Sequence, residues 1–190
     1  MKLLFVIDMQ NDFIDGVLGS PEAQAIVPKV IEKIKQQKDI IVYTQDTHKK
    51  SNYLQTEEGK HLPIPHCLIG EKGWSVKPEI YNANKNPNVD EFVFRKTTFG
   101  YPWNLEEDFC IEDDFLLKLE QIEEIEIIGL DTDFCVLANA MTLKAAFPNV
   151  PITIDAACCA GSTPEWHEKA LDMLEHCHFN VINRKRSDKK

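Results

Sequence analysis

Short apolar, β-branched runs recur along the chain: LLFVI at 3–7, IIVYT at 40–44, EFVFR at 91–95, IEIIG at 125–129, VPITI at 150–154 and FNVI at 179–182. Runs of this length and composition predict strands. Between them PEAQAIVPKVIEKIKQQ at 21–37, FLLKLEQI at 115–122, VLANAMTLKAAF at 136–147 and PEWHEKALDMLEHC at 164–177 carry helix-like spacing of apolar positions. Ser20 and Thr163 each precede a proline and an acidic residue, the pattern of a helix start with a side-chain cap. Strands alternating with helices predict an α/β fold: three layers, α/β/α, with a mainly parallel central sheet covered on both faces. A chain of 190 residues is expected to form one domain over 1–190.

Residues 47–90 break this rhythm, with several prolines and little periodicity. A loop of that length in a compact domain is usually functional or disordered, and this one holds His48, His61, His66 and Trp74, which favours function. In an open α/β sheet the ligand crevice lies beyond the carboxyl ends of the strands. The polar residues after each strand then fall into one neighbourhood: Asp8 after the first, Asp46 and His48 after the second, Lys96 after the third, Cys135 after the fourth.

Cys135 is expected in the first turn of its helix, where unpaired backbone N–H groups and the helix dipole favour a thiolate nucleophile. The competing reading is inert packing, since free cysteine is among the most buried residue types. Asp8, ending a central strand, reads either as a turn former or as a general base whose pKa is raised by burial. Lys96 is the one cation expected beside both. Asp46 and His48 have the D-x-H spacing that points two side chains of an extended segment the same way. With His66 they supply three oxygen and nitrogen ligands and leave positions open for water or substrate, a set that suits Zn, Mn or Fe. His61 and Cys67 are possible fourth neighbours, though a surface histidine and a packed cysteine describe them better.

A formal net charge of -10 argues against nucleic acid and against an anionic membrane surface as partners. The apolar run of MKLLFVIDMQ ends at Asp8 with no small-residue cleavage site, so it is not expected to be a signal peptide. A cytoplasmic protein with six free thiols is expected, Cys158 and Cys159 acting as small buried hydrophobes. The basic tail NRKRSDKK at 183–190 reads as a solvated end.

At these residues the chain resembles the isochorismatase-like cysteine hydrolases, and within them the metal-containing nicotinamidases. The segments that carry the resemblance are VIDMQNDF at 6–13, DTH at 46–48, LPIPHCLIG at 62–70, FRKTTFG at 94–100 and the G-x-x-T-D-x-C-V pattern at 129–136. The resemblance implies a triad of Asp8, Lys96 and Cys135 and a divalent metal, zinc before manganese or iron, at Asp46, His48 and His66. It implies a cis peptide joining Leu130 to Asp131, an oxyanion hole from the N–H groups of Asp131 and Cys135, and a substrate pocket lined by Phe13, Leu130 and Asp131, with Phe99 or Trp103 as a further wall. The implied activity is hydrolysis of a small-molecule amide, foremost nicotinamide to nicotinate and ammonia, through a thioester on Cys135, by a homo-oligomer. Two positions depart from the family pattern: Leu62 and Pro63 stand where many nicotinamidases have a tryptophan, and Asp131 stands where a small or apolar residue is commoner. The alternatives are a cysteine hydrolase of the same scaffold acting on another small amide or carbamoyl compound, and a metallohydrolase whose bound hydroxide attacks while Cys135 stands by.

Overall fold

Six strands form one sheet in the order β3-β2-β1-β4-β5-β6, every adjacent pair parallel. They are β1 (Lys2–Ile7), β2 (Ile40–Asp46), β3 (Asp90–Lys96), β4 (Glu124–Leu130), β5 (Ile152–Ala160) and β6 (Asn180–Ile182). The computed structural model describes residues 1–103 and 121–185. The helix expected at 115–122 therefore lies, but for its last two residues, outside the described residues, as does the end of the basic tail.

The central strands are apolar on both faces because both faces are covered: β1, β2 and β4 are buried along nearly their whole lengths. The edge strand β3 instead alternates half-buried and exposed positions up to Lys96, which is buried. On one face lies α2 (Pro21–Gln36), following α1 (Asn11–Ile14), with Ala23, Ile26, Val27, Val30 and Ile34 packed with Leu4, Val6, Ile41 and Ile128. After the short α3 (Glu57–His61) and α4 (Pro78–Tyr81), α5 (Leu137–Ala146) and α6 (Pro164–His176) cover the other face, Ala140, Leu143, Leu171 and Leu174 meeting Leu3, Phe5 and Ile127. The two expected caps are present: Ser20 Oγ accepts from Ala23 N–H at 3.0 Å and Thr163 Oγ1 from Trp166 N–H at 3.2 Å.

Strand order reverses between β1 and β4, both running outward to the same side, and at such a switch point the loops part to leave a crevice. Gly129 sits at this junction with φ +125°, and a Cβ there would stand 2.1 Å from the carbonyl oxygen of Ile7. Only glycine lets β4 close on β1 just before both strands deliver their terminal residues. No helix among the described residues is long and apolar enough to cross a membrane.

Candidate active site

Asp8, Lys96 and Cys135 come from β1, β3 and the segment after β4, and the fold brings them into contact. Lys96 Nζ lies 2.6 Å from Asp8 Oδ2 and 3.3 Å from Cys135 Sγ. All three are buried. Asp8 turns with φ +45°, a left-handed backbone that aspartate tolerates better than most residues. Thr44, on the neighbouring β2, holds it there: its hydroxyl accepts from Asp8 N–H at 3.1 Å and donates to Oδ1 at 2.7 Å. Oδ2 receives no aligned hydrogen bond, so its contact with Nζ is an ion pair that leaves this oxygen able to take a proton.

Burial raises the Asp8 pKa, against the opposing pull of the Lys96 ammonium. Lys96 moves the other way from its own desolvation: burial alone favours the neutral amine, but Asp8, Cys135 and Asp46 outweigh it and hold the ammonium charged. The sequence reading of a lowered cysteine pKa does not hold. Burial pushes the Cys135 thiol well up, Lys96 opposes this, and Asp8 adds to it. Cys135 is also not in an α-helical first turn but within a π-helical turn, Thr132–Val136, that precedes α5. The resting arrangement is a neutral thiol beside an ammonium–carboxylate pair.

The peptide joining Leu130 to Asp131 is cis, as the resemblance implies. Leu130 is fully buried in the core with Val6, Ile128 and Cys158, so it brings only its backbone to the crevice. Asp131 is partly exposed, and burial, followed by the charges of Asp133 and Asp8, pushes its carboxyl up to about 7. Asn139, one turn into α5, donates to Cys135 O at 2.8 Å and to Phe99 O at 2.9 Å, which ties the loop after β3 to the cysteine segment. Trp103 packs in the core against Phe5 at 5.2 Å, and is not a pocket wall. Phe99 is 43% exposed, its ring 5.2 Å from Phe134.

A second cluster lies beside the first. Asp46, His48, Glu58 and His66 each direct one donor atom to a common point, all within 4.8 Å of one another. His48 Nε2 is 2.8 Å from Asp46 Oδ2, and His66 Nε2 is 3.4 Å from both Asp46 Oδ2 and Glu58 Oε1. The donor set fits a divalent ion: two imidazole nitrogens and two carboxylate oxygens, with His48 Nε2 buried and without a hydrogen bond. His66 Nδ1 faces Ile64 O at 2.9 Å, which turns Nε2 toward the cluster. Burial depresses the His66 pKa, but Asp46 and Glu58 overcome this and raise it to about 10, a sign that the two carboxylates call for positive charge. Phe13, five residues after Asp8 in sequence, has its ring 5.5 Å from that of His66 and so lies beside the second cluster in space.

Two strands run further than expected, β2 by two residues to Asp46 and β3 by one to Lys96, so both side chains close their strands instead of following them. His61, exposed at the end of α3, and Cys67, packed in the core, both stand outside the group of converging donor atoms. The fourth member of that group is Glu58, which the sequence reading missed. Its available signal was Thr56, whose hydroxyl caps the turn by accepting from Gly59 N–H at 3.0 Å and so sets Glu58 in a short helix.

Known proteins share this architecture. A nicotinamidase of Acinetobacter baylyi is 28% identical, the alignment covering 94% of this chain and 87% of that one. The crystal structure of a nicotinamidase/pyrazinamidase from Bacillus subtilis superposes with a TM-score of 0.71 at 25% identity, covering 95% of this chain and 98% of the other. That of N-carbamoylsarcosine amidase from Thermoplasma acidophilum gives 0.65 at 26% identity over 100% and 98%. The isochorismatase domain model matches residues 2–186, a span that contains every residue of both clusters, and the chain therefore belongs to the isochorismatase family.

Proposed function

We propose that this chain is a cysteine amidohydrolase that converts nicotinamide to nicotinate and ammonia through a thioester on Cys135. The observation that carries the reading is the position of Lys96 Nζ, within 2.6 Å of the Asp8 carboxylate and 3.3 Å of the Cys135 sulfur. A thiol whose pKa is pushed up is not stored as an anion; it must lose its proton as it attacks. Asp8 Oδ2 takes that proton while Sγ bonds to the amide carbon and the carbonyl electrons move to oxygen. The charge lost on Asp8 reappears on the oxyanion, so the Lys96 ammonium remains balanced throughout. The N–H groups of Asp131 and Cys135 are our assignment for the oxyanion donors. Protonated Asp8 then gives its proton to the leaving nitrogen, the C–N bond breaks, and ammonia departs. Water attacks the thioester with Asp8 again accepting a proton; as the C–S bond breaks Asp8 passes that proton to the departing sulfur, which releases the acid and restores the thiol.

Asp46, His48, Glu58 and His66 would hold a divalent ion, zinc being our first choice for two nitrogens and two oxygens. When bound, such an ion supplies an anchor for a ring nitrogen and charge balance for the two carboxylates. Phe13 beside His66 offers the ring an apolar wall. Five free cysteines among the described residues support the cytoplasm as its compartment.

A second reading, hydrolysis of a different small amide or carbamoyl compound on the same triad, is favoured by Asp131, an ionisable group at the crevice. Ammonia release from nicotinamide, measured beside other small amides and N-carbamoyl compounds, separates the two. Cys135→Ala is expected to abolish turnover of whichever substrate is used. Retained turnover in that variant would refute the thioester route and point to a metal-activated water.

A further inference from the structure

The segment MQNDF, which follows Asp8, has side chains that neither cluster uses directly, and these side chains reach into the loops that carry the candidate metal ligands. Gln10 is fully buried. Its Nε2 donates to Asp46 O at 2.8 Å and to Trp74 O at 2.7 Å, while its Oε1 accepts from Asp46 N–H at 2.8 Å. Both backbone groups of Asp46 are thus fixed by one side chain. Asp12 Oδ2 accepts from Cys67 N–H at 2.7 Å. Cys67 has φ +45°, a left-handed conformation disfavoured for a residue with a Cβ, and it directly follows His66. The hydrogen bond from Cys67 N–H to Asp12 therefore holds a strained turn that aims His66. Space for this carboxylate exists because residue 73 is glycine: a Cβ on Gly73 would lie 2.1 Å from both Asp12 carboxylate oxygens.

The geometry points to Gln10 and Asp12 as positioning residues that set the spacing of Asp46 and His66, so that the turn bearing the general base also organises the metal cluster. This rests on the reading of Asp46, His48, Glu58 and His66 as a metal site. Neither residue supplies a donor atom to the cluster. Each acts through the backbone of, or next to, a ligand, as outer-shell partners do when they tune metal affinity.

The test uses the full chain, freed of metal by chelation and titrated with Co²⁺ alone, followed by its visible absorption. Gln10→Met removes the clamp on Asp46, and Asp12→Ala the bond to Cys67. Each is expected to weaken Co²⁺ binding about 10- to 100-fold and to alter the absorption bands. Asp12→Asn retains an oxygen acceptor for Cys67 N–H and is expected to stay near wild type, which a purely charge-based effect would not allow. Gly73→Ala, which touches neither residue's own chemistry, is expected to reproduce Asp12→Ala by displacing the carboxylate. Alkylation of Cys135 by iodoacetamide should remain close to the wild-type rate in Asp12→Ala and Gly73→Ala, showing that the triad is intact. Wild-type Co²⁺ affinity and spectrum in Gln10→Met, Asp12→Ala and Gly73→Ala would overturn the inference. A wild-type chain that binds neither Co²⁺ nor Zn²⁺ would remove the metal reading beneath it, and is recognised because no variant is then needed.

Discussion

Replacing Lys96 by methionine removes the cation from a buried pair while keeping the length of the side chain. The pair is close, 2.6 Å between Nζ and Oδ2, with both partners buried. At an effective dielectric constant of about 20 the Coulomb attraction across that distance is roughly 6 kcal/mol before desolvation is subtracted. Breaking a buried pair by removing one member costs about 3 to 5 kcal/mol, because the remaining charge stays buried without compensation. Asp8 can escape by taking up a proton, since its pKa is already raised by burial and Lys96 is the main influence holding it down. The sign follows: a carboxyl whose folded pKa exceeds its unfolded value of about 3.9 destabilises the fold increasingly as pH rises through the folded value, and not at all below the unfolded one. The difference in unfolding free energy between wild type and Lys96→Met, from urea titrations at pH 5.5 and pH 8, is expected to be larger at pH 8. Turnover is expected to fall at least 100-fold at both, because the neutral Asp8 at low pH is no base and the oxyanion has lost its counter-charge. A stability loss below about 1 kcal/mol at pH 8 that does not change with pH, together with near-normal turnover, would refute this account of the pair.

Three other outcomes follow from the same geometry. Asp131 titrates near 7, so above that pH its anion opposes the negative charge developing nearby; kcat/KM for a neutral amide is expected to decline there, and Asp131→Asn to abolish that decline. An unchanged pH profile in the variant would place the Asp131 carboxylate outside the reaction's field. Glu58→Ala removes one of four donors, and a drop of at least tenfold in Zn²⁺ affinity by competitive titration is expected, with unaltered affinity counting against Glu58 as a ligand. Gly129→Ala forces a Cβ against the Ile7 carbonyl in a left-handed backbone, so a thermal midpoint lowered by many degrees, or no folded protein at all, is expected; wild-type melting would contradict the close β1–β4 approach.

Much of this protein is legible in its residue pattern, and the reason is local. LLFVI and IIVY are apolar without interruption because β1 and β2 have no exposed face, and 21–36 repeats at helical spacing because α2 covers the sheet on one side only; the edge position of β3 is not written in DEFVFRK, whose FVF run is apolar although Val93 is exposed. Parallel strands deliver their last residues to one side, so order alone placed Asp8, Asp46, Lys96 and Cys135 together. What only the tertiary structure decided depends on the path of the chain between elements and on who surrounds whom. Glu58 joins the histidines through an aperiodic loop, and Gln10 and Asp12 reach backbone groups dozens of residues away. No local pattern records such distances. A helix start is expected to favour the Cys135 thiolate, but burial beside a carboxylate raises the thiol's pKa, because desolvation is set by the whole surroundings and not by the turn in which a residue sits.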